Sequence, residues 1–143
     1  MDTVTINKLL WKVKCFIGTF ARDTFPQKIC PNKGLIVNTD LSSLPGEHWI
    51  AIIINHDGTG EYFDSYGLPP LHSEFIKFMF NNCPNGWIYN DIALQCLACI
   101  TCGHYCVAYI KLRCHGYTLD EFVSLFTRDV TTNDVLIRNY ISI

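Results

Sequence analysis

Apolar residues fall at helical spacing at Ile6, Leu9, Leu10 and Val13, which predicts a short helix over residues 3–14. The stretch from Phe20 to Pro26, continued by Pro31 and Gly34, breaks any period and reads as loop. Leu35–Asn38 reads as a strand, and the following loop to Glu47 carries the turn pair Pro45-Gly46. The densest apolar run, Trp49 to Ile54, is rich in β-branched residues and predicts a buried strand that begins at His48. Asn55–Gly60 is a hairpin loop, so Glu61–Asp64 should return antiparallel to that strand. Leu71, Phe75, Phe78 and Met79 stripe a helix over residues 71–81, and Trp87–Tyr89 forms a third short strand. Residues 103–113 are apolar around most of a helical circumference, which marks a buried central helix. Two more helices close the chain at 118–126 and 132–141, the latter spaced by Asp134, Val135, Ile137 and Tyr140.

These elements, with no internal repeat or low-complexity segment, give an α+β chain with one domain over residues 1–143. Hydrophobic residues are 49% and charged ones 17%, which excludes a disordered chain. A net charge of −2 gives no reason to expect nucleic acid as an obligatory partner. The run Trp49–Ile54 is strand-sized, so no membrane span is expected, and Met1–Thr5 lacks the basic and apolar start of a signal peptide. The expectation is an intracellular protein of the cytoplasm or nucleus. In that setting eight cysteines read mostly as buried thiols and not as a disulfide framework. Cys15, Cys30, Cys83 and Cys114 are scattered, whereas Cys96, Cys99, Cys102 and Cys106 crowd together.

Four positions suggest chemistry. His48 opens a buried strand after a turn, and Asp64 ends its antiparallel partner, so the two side chains can meet. Such a carboxylate would orient the imidazole and stabilise its cation. Cys102-Gly103 stands where a loop enters the buried helix, and a thiol at a helix N-terminus is pushed towards thiolate. Gln95, on the preceding loop, can fold back to join the Cys102 backbone N–H in holding an oxyanion.

The runs His48-Trp49, Tyr62-Phe63-Asp64-Ser65-Tyr66-Gly67, and Gln95 followed by Cys102-Gly103-His104-Tyr105-Cys106 resemble the adenovirus-protease family. More closely, they resemble the proteases of Maverick/Polinton-type self-synthesising DNA transposons and the viruses related to them. The resemblance spans roughly residues 16 to 126. It implies a papain-like cysteine protease in circularly permuted order, His-Asp-Gln-Cys, with His48, Asp64, Gln95 and Cys102 as its catalytic set. Adenovirus proteases usually carry Glu where this chain has Asp64; the transposon-type and ubiquitin-like-protein proteases use Asp. It further implies processing of viral or transposon-encoded precursor proteins next to glycine, with room for an activating peptide. Trp49 would roof the cleft, and Gly103 would let substrate backbone approach. No cofactor is expected.

Two other readings stay open. A ubiquitin-like-modifier deconjugating protease would use the same four residues, although such an enzyme needs added surface to grip a folded modifier. A zinc-stabilised interaction module could draw on Cys96, Cys99, Cys102, His104 and Cys106, but the sequence offers no second half of a ligand set, and no metal is expected.

Overall fold

The computed structural model describes residues 1–142. Its frame is a five-stranded mixed sheet in the order β1-β2-β3-β4-β5, formed by Phe16–Phe20, Lys33–Asn38, Trp49–Ile54, Gly60–Phe63 and Trp87–Tyr89. The central strands β2, β3 and β4 are antiparallel neighbours, and β1 and β5 add parallel to the two sides. Every residue of β3 is buried, because the sheet is covered on both faces.

Alternation along the strands divides the core in two. Ile36, Ala51, Ile53 and Phe63 face α3 (Cys102–Cys114), with α1 (Thr3–Leu10), α4 (Leu119–Ser124) and α5 (Val130–Tyr140) packed around it. Leu35, Val37, Ile50, Ile52 and Tyr62 face the other way, onto Phe75, Phe78 and Met79 of α2 (Ser73–Asn82) and onto Phe25. Helix α3 thus lies on the sheet as the buried central helix its composition predicts. The α+β arrangement, a mixed sheet packed on a central helix, is the fold class expected from the sequence.

One buried ion pair anchors the far end of α3. Arg113 donates from Nε to Glu61 Oε1 at 2.9 Å and from Nη2 to Glu61 Oε2 at 2.7 Å. Tyr109 Oη also donates to Glu61, and Arg113 Nη2 reaches Asn55 Oδ1 at 2.6 Å. Because Glu61 sits on β4, this network fixes the height of α3 along the sheet, and hence where its N-terminus emerges. Stacking of Phe63 on Tyr109, with ring centroids 4.6 Å apart, does the same with apolar area.

Several expectations are corrected. Residues 16–20 form an edge strand where the sequence pattern suggested none; Gly18 and a register shift between Phe16 and Thr19 hide the period. The first helix stops at Leu10, leaving Trp11 74% exposed. Leu71 lies ahead of α2 and is exposed, so the apolar stripe of that helix is Phe75, Phe78 and Met79. On α5, Val135 and Tyr140 are exposed, and Ile137 with the following Ile141 makes the apolar contact. Cys15 and Cys114, read as scattered thiols, form a disulfide with Cα atoms 6.2 Å apart. Where the surroundings are oxidising, closing a loop of this length stabilises by about 4–5 kcal/mol in the chain-entropy picture. Among the described residues, no helix is long and apolar enough to cross a membrane.

Candidate active site

Strand β3 begins at Trp49, so His48 is the last residue of the loop that enters it. Strand β4 ends at Phe63, so Asp64 is the first residue beyond. The antiparallel register places these two ends side by side, and His48 Nε2 lies 2.8 Å from Asp64 Oδ1. That oxygen also accepts the backbone N–H of Tyr66 at 2.8 Å, which holds the carboxylate in place. The Tyr66 ring stacks on the imidazole with centroids 4.5 Å apart and fixes its plane. Gly67 completes the turn with a φ of +73°, a conformation that costs other L-residues free energy.

Cys102 is the first residue of α3, and its thiol meets the His48 imidazole. Burial alone would raise the Cys102 pKa. The imidazole, the Trp49 backbone N–H and the Gly103 backbone N–H outweigh burial and leave it below the ordinary thiol value. For His48, burial would lower the pKa. The hydrogen bond to Asp64 and the contact with Cys102 prevail and hold it at about 9. Each shift favours a thiolate–imidazolium pair at neutral pH. By contrast, Cys106 is fully buried, and loss of hydration drives its thiol well above the usual range.

His48, Trp49, Tyr66, Ile100 and Cys102 line one side of an open cleft of about 530 Å³; Met1 and the 40–47 loop form much of the rest. The Trp49 indole packs in the core, donates from Nε1 to the Met1 carbonyl at 2.9 Å, and still presents an edge to this cleft.

Two of the expected site residues sit differently from the sequence picture. Gln95 is 2% exposed and is not part of the cleft wall. Its Oε1 accepts from the Ser65 hydroxyl, and its Nε2 donates to the Cys99 carbonyl at 2.7 Å, so the side chain braces the 95–101 loop. Gly103 is buried below the cleft, where an added Cβ would come within 3.0 Å of Met1 Cβ and 3.2 Å of Trp49 Cδ1. Its lack of a side chain admits Trp49 and Met1.

Asn90 is a site residue that the sequence reading missed. Strands β4 and β5 are parallel, so both end at the same sheet margin, and Asn90 arrives beside Asp64. Its Oδ1 accepts the Asp64 N–H at 3.0 Å and its Nδ2 donates to the Asp64 carbonyl at 2.6 Å. Nothing in the run Trp87-Ile88-Tyr89-Asn90 signals this, because the contact depends on strand order.

The arrangement is a papain-like fold, in the form also seen in the Ulp1 protease domain. The crystal structure of the C-terminal Ulp1 protease domain bound to Smt3, the yeast ortholog of SUMO, matches 97% of this chain and 76% of that one, with a TM-score of 0.50 and 13% identity. A crystal structure of the African swine fever virus pS273R protease matches with a higher TM-score, 0.70, over 98% of this chain and 66% of that one, at 19% identity. In sequence, cysteine protease S273R of African swine fever virus (isolate Tick/Malawi/Lil 20-1/1983) is 29% identical over 107 residues, 66% of this chain. The chain spans only 38% of that relative's length. No family model matches.

Proposed function

We propose that the protein is a cysteine endopeptidase in which Cys102 is the nucleophile, His48 the acid–base and Asp64 the orienting carboxylate. The observation that carries this reading is the continuous contact from the Asp64 carboxylate through the His48 imidazole to the Cys102 thiol at the wall of a cleft. Sequence similarity to a viral cysteine protease supports it.

In this reading the acyl-enzyme forms and breaks down in two steps. The Cys102 thiolate attacks the scissile carbonyl carbon, and the electron pair moves onto the oxygen. The Cys102 backbone N–H, at the unpaired start of α3, receives that oxyanion; the family resemblance assigns Gln95 as the second donor, although its amide is tied to Cys99 and lies outside the cleft wall. The His48 imidazolium then protonates the leaving amine as the C–N bond breaks, giving a thioester. A water deprotonated by the neutral imidazole hydrolyses the thioester and restores the pair.

The substrates in this reading are precursor proteins of a virus or of a transposon-like element, cut after glycine within extended segments. Transposon-type affinity, activation by a peptide and an intracellular or virion-packaged location belong to the same reading. An electrophilic peptide probe followed by mass mapping tests the chemistry: Cys102 should carry the label, and labelling of Cys99 with activity retained would overturn it. A peptide-library digest tests the substrate. Cleavage confined to the tail of a folded ubiquitin-like modifier would replace precursor processing with deconjugation.

A further inference from the structure

The sequence reading of a metal site stopped at one half of a ligand set, and the fold brings up a third donor from elsewhere. Cys96 and Cys99, on the loop ahead of Cys102, converge with Asp134 of α5, their donor atoms all within 4.8 Å of one another. Cys106 is fully buried in the core and stands outside this group, as does Cys102. We propose that Cys96, Cys99 and Asp134 form a binding site for a thiophilic divalent cation of the zinc class, which clamps the 95–101 loop onto α5.

The donors suit that ion. Two thiolates and one carboxylate are a soft-to-borderline set, and tetrahedral zinc holds sulfurs at about 2.3 Å and carboxylate oxygens at about 2.0–2.2 Å. Donor atoms held by one such ion lie about 3.5–4 Å apart, so the three groups need only close in slightly around it. Both sulfurs are partly exposed, so an ion can enter and a water can complete four-coordination.

Asp134 is 5% exposed and already oriented as a ligand would be. Its Oδ1 accepts hydroxyl hydrogens from Thr101 at 2.8 Å and Tyr105 at 2.9 Å, and its Oδ2 accepts the Cys96 N–H at 3.1 Å. These bonds fix the carboxylate from behind, as outer-shell partners of a metal ligand do, and leave Oδ2 with spare acceptor capacity. Without a metal, the Cys99 thiol rests against the Asp134 carboxylate. A bound cation would take the place of the thiol proton between them.

The loop it clamps matters for turnover. Gln95 Nε2 bonds the Cys99 carbonyl, so a cation on Cys99 Sγ fixes the backbone to which Gln95 is tied. Metal binding itself is independent of the protease reading; only its consequence for rate rests on it.

The test is anaerobic titration of the reduced, metal-free full chain with Co(II). One equivalent should bind with thiolate-to-cobalt charge-transfer absorption and tetrahedral visible bands, and Zn(II) should displace it. Cys96→Ala and Cys99→Ala should each abolish the charge-transfer band. Asp134→Asn, which keeps the shape of the buried side chain, should weaken binding at least tenfold. Cys102→Ala and Cys30→Ser should bind like the unaltered chain, with circular dichroism confirming that each variant is folded. Absence of the charge-transfer band in the intact reduced chain would overturn the proposal. So would its survival in both Cys96→Ala and Cys99→Ala, or its loss in Cys102→Ala. A peptidase-inactive chain that binds Co(II) through Cys96 and Cys99 would leave the site standing and remove only the proteolytic reading.

Discussion

Asp64 bonds the Nε2 atom of His48, at 2.8 Å, so the nitrogen left to serve Cys102 is Nδ1. That choice fixes which face of the ring meets the thiol and which end receives the stabilising charge. It also gives the titration of the site a definite sign. His48 is held up at about 9, while Cys102 is held below its ordinary value. The rate should therefore rise on an acid limb as Cys102 loses its proton. It should fall on an alkaline limb near pH 9, where His48 can no longer protonate the leaving amine.

Removing the carboxylate charge should move the alkaline limb. In Asp64→Asn the imidazolium loses both its charged hydrogen bond and its Coulomb partner, so the His48 pKa falls and the limb shifts to lower pH. The rate should also drop, by up to about 10⁴-fold as in a comparable triad. Measuring kcat/KM against pH for both proteins checks this. An unmoved alkaline limb would mean that Asp64 does not control the titration of His48.

Gln95 gives a second separable effect. Its carboxamide joins Ser65 to the Cys99 carbonyl and does not touch the thiol, so Gln95→Ala should leave the rate of Cys102 alkylation nearly unchanged. Turnover should fall by about 10²–10³ if the amide also serves the oxyanion. Wild-type turnover with a lowered melting temperature would instead assign Gln95 to bracing the loop alone.

How much of this could be read from the chain depended on whether neighbours in sequence decide the contact. His48 and Asp64 flank one hairpin, so alternation and a turn signal were enough to bring them together. Helix α3 was legible because a segment apolar all round has only the core to go to. Strand β1 was not, because Gly18 and the register shift erase its alternation. Leu71 misled because its apolar character continued the stripe of a helix that starts after it. Asn90 and Asp134 were out of reach for another reason. Each meets its partner only through the order of strands or the packing of α5, and neither residue type announces such a contact.

The Glu61–Arg113 pair should govern stability without touching the site. Glu61→Ala leaves a half-buried guanidinium with neither of its carboxylate bonds, which should cost about 3–5 kcal/mol in denaturant unfolding. Adding Arg113→Met to that variant should recover much of the loss, because the uncompensated charge is gone. Equal stability of the single and double variants would show that the ion pair is not what holds the end of α3.

Trp49 and Gly103 offer a paired test of what shapes the cleft. The indole lies over Gly103 and forms part of the cleft wall beside His48. Trp49→Ala should destabilise by about 3–5 kcal/mol, since the side chain belongs to the core. If the indole also excludes substrate side chains, the same variant should cut peptides with alanine or serine at the position where the proposed activity prefers glycine. Gly103→Ala acts in the opposite sense. Its new Cβ would stand 3.2 Å from Trp49 Cδ1 and 3.0 Å from Met1 Cβ, closer than ordinary van der Waals contact. Relief must come from the indole or from Met1, at a cost of about 1–3 kcal/mol. An indole pushed towards the cleft narrows it, so glycine selectivity should be kept or sharpened while kcat/KM falls. A peptide library applied to both variants reads these effects directly. Lost stability with unchanged selectivity in both would assign Trp49 to the core alone, and the glycine preference would then need another wall of the cleft.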